Sequence, residues 1–195
     1  MGPLAWLAWA TMAVGYWAPW IDGGAAGLTF SGFDLVPFLV FFQRAGYGPL
    51  VRERLWTPVW ALAGGLALLV LEGEWPSRRG LRGVLFALAA LAPLITWPPY
   101  PELLHPLSVE GRGGFLGGLM AMGGILTLPL WPSAWRRRLA LALPWGVLGL
   151  TGPELVQTWR LWTAHLGLSP ALGWGLPLYT VGLALWLQAW RRTSR

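Results

Sequence analysis

Eight acidic residues and two histidines carry almost all the proton- and metal-binding capacity of this 195-residue chain. Asp34 is the one that stands inside an apolar segment, LTFSGFDLVPFLVFFQ at 28–43, beside Ser31 and Gly32. If that segment crosses a bilayer, Asp34 is intramembrane and suited to hold a cation or carry a proton. If the segment lies in the interface, S-G-F-D ahead of apolar residues reads as a helix start, with Ser31 or Asp34 as the cap. The cap is the preferred reading.

Glu72 and Glu74 close an apolar run beside Trp75, just ahead of Arg78 and Arg79. An interfacial ion pair with those arginines accounts for them without a functional role. His105 and His165 have no second histidine or carboxylate at helical spacing, so helical metal and haem patterns are absent. Both fall in loops expected on the same side as Glu102, Glu110 and Glu154, where two histidines and a carboxylate could meet around a metal. The preferred reading is that these are interfacial polar residues without a ligand. There is no Gly-rich phosphate loop after a strand, no G-x-S-x-G elbow and no H-E-x-x-H. With no cysteine, disulfides and thiolate chemistry are excluded. The expectation is therefore no catalytic residue, no metal and no cofactor, and a protein that is not an enzyme.

The motif most suggestive of packing is GRGGFLGGLMAMGG at 111–124. Gly113 and Gly117 are one turn apart, as are Gly114 and Gly118, which leaves a groove where another backbone can approach closely. A helix of the same chain is the preferred partner, another subunit the alternative.

The elements that must position these residues are apolar spans. Only 11% of residues are charged and 55% are hydrophobic, with a mean hydropathy of +0.53. A soluble domain carries about a quarter charged residues, so too little charge is present to cover a water-facing surface. Six runs of span length are visible, at 4–20, 56–73, 82–97, 114–131, 138–152 and 172–190. The run at 138–152 is short and is expected to continue past Pro153 toward Trp159. The segment 28–43 is a seventh candidate. Many of the 16 tryptophans flank these runs, and indole rings favour the membrane–water interface. The fold class expected is all-α, a polytopic transmembrane helical bundle of six or seven spans, forming one domain over 1–195.

Every one of the 14 basic residues is arginine. They cluster at the ends of apolar runs, with no basic face of the kind that binds nucleic acid. Arg78, Arg79 and Arg82; Arg136, Arg137 and Arg138; and Arg191, Arg192 and Arg195 are each separated by two spans. All three groups can lie on one side, assigned to the cytoplasm. Arg44, Arg52 and Arg54 are then stranded outside. With six spans the N-terminus is inside; with seven it is outside. The chain is expected in a prokaryotic inner membrane, C-terminus cytoplasmic, in contact with lipid and with other membrane subunits. Its expected role is a non-catalytic accessory or scaffold subunit of a larger complex for transport or electron transfer. The alternative is a transporter of a small solute, ion or lipid in its own right.

Overall fold

The computed structural model describes residues 2–22, 29–38, 52–73, 77–96, 112–165 and 170–192. It is mostly helical. Six long helices follow one another: α1 Pro3–Trp17, α2 Thr57–Glu72, α3 Arg79–Leu91, α4 Arg112–Thr127, α5 Ser133–His165 and α6 Gly175–Arg192. Among the described residues, four helical stretches are long and apolar enough to cross a membrane: Arg54–Glu72, Arg79–Thr96, Gly113–Leu130 and Ser133–Ala164. They correspond to α2 to α5, respectively.

Prolines set several helix boundaries. Pro3 and Pro58 stand in the first turns of α1 and α2, where a missing N–H costs nothing. Pro93 cannot donate back to Ala89, and there α3 tightens into a 3₁₀ turn at Ala92–Thr96. Pro129 does the same after α4, at Leu128–Leu130. Pro144 and Pro153, in contrast, lie inside α5, which runs through both.

Neighbouring helices alternate in direction. Gly15 near the end of α1 abuts Gly175 and Tyr179 at the start of α6, while Gly182 abuts Ala8 and Met12. Arg54, just before α2, pairs with Glu154 late in α5, while Glu72 at the end of α2 pairs with Arg136 at the start of α5. Arg82 at the start of α3 meets the end of α2, and Thr96 beyond its other end meets Trp60 and Gly114. The bundle therefore has two ends. One collects the end of α2, the starts of α3 and α5 and the end of α6, bringing the arginines near 80, 136 and 191 to one level. The other end carries a cap.

The cap corrects the expectation of an all-helical chain. It is a three-stranded antiparallel sheet of β1 Pro19–Asp22, β2 Thr29–Ser31 and β3 Ala171–Leu172, in the order β2-β1-β3. β1 leaves α1 and β3 enters α6, so the sheet ties together the outer ends of the α1–α6 pair. Gly173 and Gly175 are required here. A Cβ on Gly175 would stand 2.5 Å from the carbonyl oxygen of Ala18, closer than any real contact.

The sheet also changes the seventh candidate span. Residues 29–31 of 28–43 are a strand and only 35–38 are helical, so the segment does not begin as a spanning helix. Its remainder, 39–43, lies outside the described residues.

α2 is the central helix. All of Gly65 to Val70 is buried, against α1, α3, α5 and the bulk of Trp186. The core continues through Ala5, Ala8, Met12 and Tyr16 of α1 and Tyr179, Leu183, Trp186 and Trp190 of α6. Leu88 and Leu91 of α3, Met120 of α4, and Trp145 and Leu148 of α5 are exposed.

Candidate functional site

Asp34 sits at the cap, exposed, in a reciprocal turn. Ser31 donates to the Asp34 carboxylate from its hydroxyl, at 2.7 Å, and from its backbone N–H, at 3.1 Å. The Asp34 N–H returns a bond to Ser31 Oγ at 3.3 Å. This is the capping box of a helix start, with an aspartate where glutamate is usual. It satisfies the amides of Ser31 and Asp34, just ahead of the turn at 35–38, whose Phe38 N–H bonds the Asp34 carbonyl. Among the described residues, both carboxylate bonds come from Ser31.

Glu72 pairs with Arg136, and not with Arg78 or Arg79 as the sequence suggests. The reason is geometric. Arg78 and Arg79 begin α3 and are exposed, whereas α5 brings the Arg136 guanidinium across the end of α2. The same guanidinium donates to the Trp131 carbonyl at 2.8 Å. From α3, Arg82 donates to the Val70 carbonyl at 2.6 and 3.2 Å and to the Gly73 carbonyl at 3.2 Å. The last carbonyls of α2 have no intrahelical donor. Arg82 fills that lack and places a cation at the negative end of the helix.

Glu154 is the most deeply placed carboxylate among the described residues, only 4% exposed. Its Oε1 accepts from Arg54 Nη1 at 3.0 Å. Its Oε2 is buried and has no hydrogen-bond partner among the described residues. Thr151 Oγ1 donates to the Arg54 carbonyl at 3.3 Å, and Thr158 Oγ1 to the Glu154 carbonyl at 2.7 Å. Arg54, at the capped end of the bundle, is thus matched by a buried carboxylate on α5. The Arg54 side chain remains 46% exposed.

His105, Glu102 and Glu110 lie outside the described residues, as do Glu74 and the side chain of His165. Among the described residues no group of three metal-binding side chains is assembled.

The glycines of α4 face the chain's own helices. A Cβ on Gly114 would run into the Thr96 carbonyl, and one on Gly117 into the Trp60 ring. A Cβ on Gly118 would stand 2.8 Å from the Pro93 carbonyl oxygen and from Thr96 Oγ1. Thr96 bridges this contact, donating to the carbonyls of Pro93 at 2.8 Å and Gly114 at 2.9 Å. Gly113 is half-buried in the same turn.

The last glycines of the 111–124 motif, and others on α5 that the sequence analysis did not single out, face outward. Gly123 and Gly124 of α4 and Gly146 and Gly149 of α5 have nothing within 4 Å of an added Cβ. On α5 they belong to a line of exposed small or rigid residues, Ala142, Gly146, Gly149 and Pro153, spaced so that they share one helix face. Beside that line Trp145 is 60% exposed. It lies twelve residues into α5, about 18 Å from its start at 1.5 Å per residue. The end groups Arg136 and Glu154 lie on either side of it along the helix, so Trp145 stands about halfway between the two ends of the bundle.

Other tryptophans also depart from an interfacial role. Trp20, Trp162, Trp186 and Trp190 are fully buried. Two of them supply donors that the helices lack. Pro144 leaves the Ala140 carbonyl without its helical partner, and Trp186 Nε1 donates to it at 2.8 Å. The Gly15 carbonyl, in the last turn of α1, has no helical donor because the helix stops at Trp17, and Trp20 Nε1 donates to it at 2.7 Å. Trp17, Trp131, Trp135 and Trp174 are exposed near the two ends, where indole is at home.

No protein-family model, no curated protein and no solved structure matches this chain.

Proposed function

We propose that the chain is an integral membrane accessory or scaffold subunit of a larger membrane complex for transport or electron transfer, without catalysis of its own. The observation that supports this most is the outward face of α5. Exposed glycines halfway along α5 pack against nothing among the described residues, and glycine in a helix interior costs about 1 kcal/mol against alanine. Close approach of another backbone is what such a line provides in lipid. Trp145 supports the same reading. Its indole N–H makes no hydrogen bond among the described residues, and hydrocarbon offers no acceptor. A partner helix would supply one.

In this proposal all six helices cross a prokaryotic inner membrane. Both termini and the arginine-rich end are cytoplasmic, by the excess of arginine there. The sheet cap faces outward. Because the chain contains no cysteine, single introduced cysteines report topology without background. Ser77→Cys and Ser133→Cys should be labelled from the cytoplasmic side, and Asp22→Cys from the outside.

The test of function is gentle extraction at native expression, with mass spectrometry of what co-migrates. Stoichiometric partners with the native chain, lost in Gly149→Leu, are expected. Migration of the native chain alone would refute the subunit reading. A transporter acting on its own has one observation in its favour, the buried Glu154 oxygen without a partner. It predicts transport by the purified chain that Glu154→Gln abolishes.

A further inference from the structure

We infer that Glu154 anchors a binding site for an organic ammonium ion, which takes the place of the Arg54 guanidinium. The site lies on the inner face of α5, away from the glycine line, so it stands whether or not a partner covers that line.

Thr151, Glu154, Thr158 and Trp162 recur at three and four residues and share one face of α5. All four are buried, and they include three of the five buried polar or charged side chains among the described residues. Two of them end in a buried atom without a hydrogen-bond partner among the described residues, an acceptor at Glu154 Oε2 and a donor at Trp162 Nε1. Buried polar atoms are normally paired, so an open acceptor and an open donor along one face point to an occupant.

The Arg54–Glu154 pair is half made. The strongest arginine–carboxylate pairs are forks of two parallel bonds. Here Arg54 gives one bond, Nη1 to Oε1 at 3.0 Å, and its side chain is 46% exposed against 5% for Glu154. The guanidinium can turn into water, and the buried carboxylate must then hold another cation. The turn before α2 does not leave with the side chain, because Thr151 Oγ1 holds the backbone carbonyl of Arg54. A metal ion would need several oxygen ligands, and no group of three metal-binding side chains is assembled among the described residues. An ammonium needs only acceptors, which Oε1 and Oε2 supply. The rings farther along the same face call for an organic body. Trp162 packs on Phe30 and Phe38, with ring centres 5.1 and 5.2 Å apart. This cluster follows Glu154 by two turns, about 12 Å of helix, and aromatic faces favour alkylammonium groups.

The test is isothermal titration of the full chain in detergent micelles with phenethylammonium and with its uncharged counterpart, phenethyl alcohol. The native chain should bind the ammonium at least about tenfold more tightly than the alcohol, through charge-assisted bonds to the carboxylate. E154Q, which keeps an acceptor for Arg54, should bring the two probes within about twofold of each other. R54Q removes the competing cation and should tighten ammonium binding by about tenfold, the reverse of what loss of a purely structural bridge would do. R160Q removes the same charge from an exposed arginine of α5 and should change binding by less than about twofold. Equal binding of the two probes by the native chain would overturn the proposal, and that outcome needs no variant to fold. So would weaker ammonium binding in R54Q, or an equal gain in R160Q, which would mean a general effect of charge. None of these outcomes bears on what co-migrates with the chain.

Discussion

Replacing Trp186 by phenylalanine tests how this bundle tolerates a proline in the middle of its longest helix. Ala140 and Trp186 are both fully buried, and the indole N–H reaches the Ala140 carbonyl at 2.8 Å. The substitution removes the donor and leaves a buried carbonyl with no other partner, because residue 144 is proline. Leaving such a group unpaired costs about 1–3 kcal/mol. Loss of ring area adds a packing cost, on the order of 1 kcal/mol. Trp186→Phe should therefore destabilise the folded chain by about 2–4 kcal/mol. Pro144→Ala separates the two costs, since alanine at that position regains an N–H that can bond the Ala140 carbonyl within the helix. In that background only the packing cost remains, so the two substitutions should couple by about 1–2 kcal/mol. Equilibrium unfolding in mixed micelles, followed by circular dichroism, gives the four free energies of the cycle. Additivity within about 0.5 kcal/mol would refute the idea that the indole replaces the missing helical donor.

Four further outcomes follow from the contacts. Gly182→Ala should destabilise by about 1–3 kcal/mol, because the new Cβ would stand 2.6 Å from Met12 Cγ and 2.7 Å from its backbone nitrogen; a wild-type melting temperature would contradict the close α1–α6 contact. Gly146→Leu, with nothing near it among the described residues, should change the stability of the isolated chain by less than about 0.5 kcal/mol; larger destabilisation would mean that this face is not free. Arg82→Gln should cost about 1–3 kcal/mol through the uncapped end of α2, measured in the same micelle assay, while Arg79→Gln at an exposed neighbour should cost almost nothing. Asp34→Ala should cost about 1 kcal/mol and Asp34→Asn only a few tenths, because asparagine still accepts from Ser31; a large loss with asparagine would indicate that the charge of Asp34 does more than cap.

Much of the helical layout was legible because lipid-length apolar runs are a coarse signal. The ends of α2, α4 and α5 follow from Trp, Pro and Arg at 56–58, 129–132 and 135–138. The cap at Asp34 was also legible, since S-x-x-D is local chemistry. The sheet was not. Its strands are two to four residues long, and β3 pairs with a segment near the other end of the chain, so no periodicity marks it. The partner of Glu72 was missed for a related reason. Sequence proximity favoured Arg78 and Arg79, but the pairing is decided by which helix crosses the end of α2. The α1–α6 contact was overlooked because its small residues, Gly175, Gly182 and Ala189, recur at seven residues, two turns apart, and not at four.

The tryptophans show where a composition-based inference breaks down. A tryptophan-rich membrane chain invites an interfacial reading for each ring, yet Trp186 bonds a carbonyl that Pro144 orphans and Trp20 one left open at the end of α1. The logic is one of supply. With 17 prolines, this chain repeatedly removes backbone donors, and hydrocarbon cannot replace them. A charged donor would carry a desolvation cost of several kcal/mol into the core. Indole donates one hydrogen bond, accepts none and brings a large apolar surface, so it satisfies an orphan carbonyl while filling the space that a kink opens. Threonine does the same on a smaller scale at Thr96, between the Pro93 and Gly114 carbonyls. Charge is then reserved for the two ends of the bundle, where Arg136–Glu72 and Arg54–Glu154 sit. The helices between them are held by neutral donors and by the absence of side chains at Gly15, Gly114 and Gly182. Glycines that make no such contact, on the outer face of α5, are the exception to this pattern, and that exception is the physical basis for placing a partner there.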